Sequence, residues 1–177
     1  MSKNNIIIAF SSDKICNNIS SILTKNGIVY DYICKTGANL RKCCSYYDNG
    51  IILCGTTFID EPMYNIIEDF YKDFSFLMFG SVDKIGIYSD EKVYKISTPI
   101  KQEDIINYID IACYKNMKNI KEKNNKIIEE AKRLLTLYNN FTEENAHKYI
   151  QKKSMDNGKK NIDIAKLIIA KYKSSRI

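Results

Sequence analysis

IEEAKRLLTLYNNFTEENAHKYIQKKSMDNGKKNIDIAKLIIAKY, residues 128–172, reads as three helical pieces separated by two breaks. Ile128, Ala131, Leu134, Leu135 and Tyr138 recur at spacings of three and four, which places them on one helix face. Asn139-Asn140 interrupts that pattern. Thr142 is then placed to cap a second helix, with Glu143 and Glu144 in the first turn, where the helix dipole favours negative charge. Ala146, Tyr149 and Ile150 form the apolar stripe of this helix, and Gly158 can end it in a left-handed conformation. Asn161 is expected to cap a third helix carrying Ile164, Ala165, Ile168 and Ile169. A long helix feeding two short ones makes a compact module with lysines on its outside.

The order Ala131-Lys132, Leu134-Leu135, Thr142-Glu143 with Ala146, Tyr149-Ile150, Ser154-Met155-Asp156 and Asp163-Ile164-Ala165 with Ile168 resembles the ANTAR domain. This domain is the RNA-binding output module of transcription antitermination regulators. Two positions depart from the family pattern: Arg133 stands where Gly is usual, and His147 where an aromatic or Leu is usual. Neither residue breaks a helix. The resemblance implies binding to nascent RNA carrying two small stem-loops, which keeps a terminator hairpin from forming. Specific recognition of RNA targets loops, because side chains cannot read a closed A-form major groove. Lysines add a salt-dependent backbone term, and a dimer engaging two loops gains avidity. Lys132 matches the family motif. Charge and position add Arg133, His147, Lys152, Lys153, Lys159, Lys160 and Asn161 as candidate RNA contacts.

The charge distribution supports a polyanionic partner for this end of the chain. The net charge is +6 over 177 residues, but from Lys115 onward there are 16 Lys and Arg against 7 Asp and Glu, and before it 11 against 14. A basic helical tail on a mildly acidic body favours nucleic acid over membrane. No apolar run approaches the length of a membrane span. The N-terminus lacks a basic segment followed by a signal-type apolar core, so a cytoplasmic location is expected. The six cysteines (Cys16, Cys34, Cys43, Cys44, Cys54, Cys113) form no CxxC pair, and with one His no zinc site or cofactor is expected. Buried free thiols are the simpler reading.

The first part of the chain alternates strand and helix. Ile6-Ile7-Ile8-Ala9-Phe10 is a continuous apolar run of the kind found in buried parallel strands. A helix follows through Ile15, Ile19, Ile22 and Leu23 up to Lys25-Asn26-Gly27. Further strands are expected at Ile28–Ile33, Gly50–Cys54 and Phe74–Phe79, with helices at Ala38–Tyr46 and Met63–Phe70. Such alternation gives an α/β domain with a parallel sheet in flavodoxin-like order. Between Ser81 and Pro99, a period of two through Lys84–Ser89 and Val93–Ile96 suggests a hairpin, or a much shortened helix before a fifth strand.

This layout resembles the response-regulator receiver domain, which accepts a phosphoryl group on an Asp at the end of the third strand. That chemistry needs acids after the first strand to hold Mg²⁺, a hydroxyl after the fourth and a Lys before a Pro after the fifth. Here the corresponding residues are degenerate. Asp13 is the one carboxylate of Ser11-Ser12-Asp13, and Cys54 or Gly55 occupies the acceptor position. Ser81 supplies the hydroxyl, and Ser97-Thr98 precedes Pro99 where the Lys belongs. Asp60 lies too far along the chain to substitute. The expectation is a pseudo-receiver controlled without phosphorylation, by a regulatory protein, a ligand or abundance. Cys54 as a redox-sensing thiol is the sharper alternative.

From Glu103 to Tyr138 no Pro or Gly interrupts a helical pattern. Steps of four and three through Cys113, Met117, Ile120, Asn124, Ile127, Ala131, Leu134 and Tyr138 make a heptad seam with Asn124 as its polar member. Lys118–Asn125 is too polar for its own chain to bury, so Cys113, Met117, Ile120, Asn124 and Ile127 are expected to dimerise. The expected division is residues 1–114, a coiled-coil linker at 115–127, and 128–177. The readings are a dimeric RNA-binding antiterminator, a DNA-binding response regulator, and a protein-interaction adaptor that no longer binds nucleic acid. Nothing in the sequence assembles an enzyme's acid and base or a phosphate-cradling glycine loop.

Overall fold

The computed structural model describes residues 5–88 and 92–174. The chain forms two compact units, Met1–Met117 and Lys118–Ile177. In the first, strands β1 (Asn5–Ala9), β2 (Tyr32–Cys34), β3 (Gly50–Cys54), β4 (Phe74–Gly80) and β5 (Val93–Ser97) alternate with helices α1 (Asp13–Lys25), α2 (Gly37–Tyr46), α3 (Met63–Phe70) and α4 (Val82–Ile85). Helix α5 (Gln102–Asn139) begins in this unit. The sheet is wholly parallel in the order β2-β1-β3-β4-β5, so the flavodoxin-like expectation holds.

The continuous apolar runs of the sequence are explained by burial on both faces. Ile6, Ile8, Ile51, Leu53, Leu77 and Phe79 join α1 and the start of α5 through Ile19, Leu23, Ile105 and Ile109. The alternate residues Ile7, Ala9, Ile52, Phe76 and Met78 join Leu40 of α2, Ile66 of α3 and Ile85 of α4. Asn116 of α5 is buried on the sheet, accepting from the Ser75 hydroxyl at 2.8 Å and donating to the Gly50 carbonyl at 3.1 Å.

One strand boundary is corrected, and one pair of alternatives is decided. The second strand is shorter than Ile28–Ile33, because the Ile28 N–H is spent on the Leu23 carbonyl at 2.9 Å, closing α1 around Gly27 at φ +70. Pairing with β1 begins only at Asp31, whose N–H donates to the Ile6 carbonyl at 2.8 Å, and the strand itself runs from Tyr32. Of the two alternatives for the segment after Ser81, the structure shows the second, the short helix α4 followed by β5, which lies parallel to β4. The apparent period of two there is one helical turn: Ile85 and Tyr88 are buried at a spacing of three, whereas Val82 and Ile87 face solvent.

The helical unit contains the end of α5 with α6 (Glu143–Asn157) and α7 (Asn161–Ser174). Its core is small. Ala131, Ala146 and Ala165, one from each helix, have no exposure and let the helix backbones approach closely around Leu135, Ile150, Ile164 and Ile168. Thr142 caps α6, its hydroxyl accepting from the Asn145 N–H at 3.2 Å, and Gly158 ends it at φ +61. Asn140, at φ +54, makes the break after α5. Asn161 is the first residue inside α7, not its cap. The N–H groups of Asp163 and Ile164 go instead to the Lys160 carbonyl, at 3.0 and 3.2 Å.

Candidate nucleic-acid interface and a cleft at the strand ends

The basic residues of the helical unit divide into paired and unpaired sets. Lys132 is largely covered and bridges Glu129 at 2.7 Å to Glu143 at 3.8 Å, which ties α5 to the first turn of α6. Arg133 makes two bonds to Glu130 at 2.8 Å, and this pairing holds its guanidinium pKa up. Lys148 pairs with Glu144 at 2.5 Å. By contrast, Lys152, Lys159 and Lys160 are exposed and form no ion pair among the described residues. Lys153 lies over the Tyr149 ring, 6.0 Å from its centroid. His147 is exposed on the opposite flank of α6 from Lys152, so those two do not share a surface.

The turn that presents Lys159 and Lys160 is firmly built. The Gly158 N–H donates to the Met155 carbonyl at 3.3 Å and the Lys159 N–H to the Ser154 carbonyl at 3.1 Å. The Ser154 hydroxyl closes back on the Lys159 carbonyl. Ser154 is a turn residue that the helical pattern hides; its signal is a Ser four positions before a helix-ending Gly. Tyr149 is half-buried, edge-on to Phe141 at 5.6 Å, so it belongs to the core and is not a stacking platform. Along the expected dimer seam, Cys113 packs against the sheet's core and Ile127 against the helical core. Met117 is exposed, and Ile120 and Asn124 are half-buried.

In the sheet unit, the residues at the expected phosphorylation site separate. Asp13 opens α1, and its carboxylate is held by Lys35. Cys54 is completely buried, which pushes its thiol pKa up and leaves no reactive thiolate. The thiols that do approach each other are Cys34 and Cys43, at 3.5 Å. Asp60 is committed elsewhere: its carboxylate accepts from the Gly37 and Ala38 N–H groups at 2.9 and 3.0 Å, capping α2, and these bonds lower its pKa. Glu61 beside it takes three bonds from Arg41, at 2.8 to 3.1 Å. The acids after β3 therefore hold loop to helix.

Ser81 and Thr98 do come together, on the wall of a cleft of about 880 Å³ at the carboxyl ends of the strands. This is where open parallel α/β sheets bind ligands. Ser11, Ser12, Thr56 and Thr57 supply further hydroxyls, Lys14 and Lys84 supply positive charge, and Phe10, Ile15, Ile22, Phe79 and Ile100 form apolar walls. No Asp or Glu among the described residues lines it. Ser-Ser after the first strand and Thr-Thr after the third are the sequence signal for this lining, legible only once the strand ends are fixed. Among the described residues no cluster of three or more His, Cys, Asp or Glu is placed to hold a metal ion, and no helix is long and apolar enough to cross a membrane.

Comparison with known proteins agrees with both units. The ANTAR domain family model matches residues 121–169. The receiver domain of an HD domain-containing protein from Pseudomonas fluorescens Pf-5 superposes with a TM-score of 0.56 at 9% identity, covering 70% of this chain and 93% of that one. A two-component transcriptional regulator AraC from Clostridium phytofermentans ISDg gives 0.55 at 12% identity, over 66% of this chain and 98% of that one. A CheY-like response regulator receiver domain protein from Methanospirillum hungatei JF-1 gives 0.52 at 14% identity, over 63% and 95%. No curated protein matches the chain. The chain is a receiver-fold domain followed by an ANTAR domain.

Proposed function

We propose that the protein is a transcription antiterminator that acts as a dimer on paired stem-loops in nascent RNA, with a receiver domain regulated without phosphorylation. The observation that carries the reading is the coincidence of the ANTAR match over 121–169 with a separately cored helical unit that presents exposed lysines, among them Lys159 and Lys160 at the α6–α7 turn. Lys152, Lys153, Lys159 and Lys160 form the leading contact surface. Lys132, neutralised by Glu129 and Glu143, acts mainly by tying α5 to α6, and Arg133 is neutralised by Glu130 on its own helix. Dimerisation rests on the exposed and half-buried part of the seam, Met117, Ile120 and Asn124.

Competition binding at fixed, near-physiological salt tests this reading. The competitors are an RNA with two short hairpins, the same RNA with one loop scrambled, and a duplex DNA of equal charge. Preference for the intact RNA, abolished by scrambling either loop, is the expected result. Equal and steeply salt-dependent binding to all three would replace it with the DNA-binding or adaptor reading. Lys159→Ala with Lys160→Ala should lower the slope of log K against log salt by about 0.7 for each phosphate no longer neutralised. Arg133→Ala should leave that slope nearly unchanged. The absence of phosphorylation is tested with a small phosphodonor: no mass gain is expected, and a one-phosphoryl gain abolished by Asp13→Asn or Asp60→Asn would defeat it.

A further inference from the structure

The cleft at the strand ends is a feature of the sheet unit that the proposed function leaves unused. Its charge is the reverse of what metal-assisted phosphorylation requires. A Mg²⁺ site needs carboxylate oxygens, and none among the described residues lines this cleft. Asp13, the acid at the β1–α1 junction, is engaged by Lys35, and Asp60 and Glu61 are engaged by α2. What remains inside is two lysines, Lys14 and Lys84, which form no ion pair among the described residues, and a ring of hydroxyls. Hydroxyls donate readily to an oxyanion, and unpaired lysines supply point charges for it.

The remaining walls say what the anion is attached to. Ile15 and Ile100 are more than a third exposed beside the buried rings of Phe10 and Phe79, so the cleft offers apolar area next to its cationic rim. An inorganic ion would leave those walls wet. Burying an apolar body against them adds affinity in proportion to the area removed from water.

From this geometry we infer that the cleft binds a small phosphate ester directly, without a metal ion, its phosphate between Lys14 and Lys84 and its apolar body on Ile15 and Ile100. The inference rests on the reading of the receiver as non-phosphorylated and names the ligand class that takes the place of the phosphoryl group. The hydroxyls of Ser81 and Thr98, from the β4 and β5 ends, close the site from the far side. The ester is held intact; no bond in it is broken.

The test uses the full chain labelled with ¹⁵N, in EDTA, titrated with phenyl phosphate, with inorganic phosphate and with phenol. Phenyl phosphate should give saturable amide shifts at Ser12–Lys14, Thr56–Thr57 and Thr98, and should bind at least about tenfold more tightly than either control. Lys14→Glu with Lys84→Glu should weaken it by at least about tenfold while the rest of the spectrum is retained. Lys42→Glu, on α2 outside the cleft, should have no effect. Absence of saturable shifts, shifts that appear only on adding Mg²⁺, or shifts unchanged by the double charge reversal would each overturn the inference. The phosphodonor experiment separates the two failures. A phosphoryl mass gain removes the reading on which the inference rests, whereas no mass gain and no phenyl phosphate binding removes the inference alone.

Discussion

The fully buried positions of the sheet unit are mostly large, among them Phe74, Phe76, Ile7, Ile8, Ile51, Ile52, Leu53 and Met63, whereas in the helical unit Ala131, Ala146 and Ala165 are fully buried beside the single large residue Ile150. The difference locates stability and chemistry in each. A parallel sheet covered on both faces is held by many interchangeable aliphatic and aromatic contacts, so loop residues just past its strand ends, such as Ser11, Ser12, Thr57, Ser81 and Thr98, stay exposed without cost to the core. Those ends carry Ser, Thr, Gly and Cys where a phosphorylated receiver needs acids, and the fold is intact. In the helical unit, packing depends on a few small residues at fixed spacings, and the outward positions carry the charge. Its sequence pattern and its structure are therefore nearly the same object.

The largest expected effect breaks the two units apart. Ala165→Leu forces three carbons into a site with no exposure, at a cost of about 3 kcal/mol, which is comparable to the stability of a unit this small. Hydrogen exchange should show amide protection in α6 and α7 falling by about 100-fold, while β1, β3 and β4 keep theirs. RNA binding should disappear with it. Equal loss of protection in the strands would mean that the two units share one cooperative core, and that the small-residue packing of one is not independent of the large-residue packing of the other.

What can be read from the sequence follows this division. Helices α3, α6 and α7 and strands β1, β3 and β4 are legible because continuous apolar runs and three-four spacings have few alternative uses. β2 is shorter than its pattern because Ile28, Val29 and Tyr30 look like strand residues, while the Ile28 N–H serves the end of α1. α4 is ambiguous in sequence because a single turn buries residues at a spacing of three, and the alternation around it mimics a strand. Charge partners are illegible for the same kind of reason. Lys132 counts as basic in any composition, but Glu143, on the next helix, meets it only after folding. Asp60 as the cap of α2 depends on a contact across 22 and 23 residues that no local pattern encodes.

A second, smaller effect tests which polar residue governs α5. Asn116 lies outside the heptad seam, yet it and Ser75 are the two buried polar residues of the described core, bonded to each other and, through Asn116, to the Gly50 carbonyl. Asn116→Ala removes the bond to each of these two buried groups, the Ser75 hydroxyl and the Gly50 carbonyl, at a cost of about 2 kcal/mol in the sheet unit by denaturant titration. Asn124→Ala, at the half-buried seam position, should instead raise the monomer's stability or leave it unchanged while loosening the register of the dimer. The opposite ranking would mean that association through the seam, and not anchoring on the sheet, fixes this helix.

The last effect follows from where the cysteines lie, since all six precede residue 118 and the helical unit holds none. Burial pushes up the thiols of Cys16, Cys34 and Cys54, and that of Cys44 to about 12. In the unfolded chain a thiol titrates near about 8.5. Above that pH the unfolded state releases a proton that the folded state keeps, so unfolding becomes easier as pH rises; below it both states are protonated and the thiol has no effect. Each thiol held neutral in this way lowers stability by up to about 1.4 kcal/mol per pH unit over the alkaline range. Cys54, fully buried and shifted by burial alone, is the cleanest probe. Cys54→Ala should reduce the alkaline slope of the sheet unit's unfolding free energy by up to that amount and leave the slope of the helical unit unchanged. Native Cys54 should also resist a small alkylating reagent at pH 8 while alkylating readily in denaturant. A native reaction as fast as the denatured one would mean that the strand end opens to solvent, and Cys54 would then return as a candidate sensor in place of the cleft beside it.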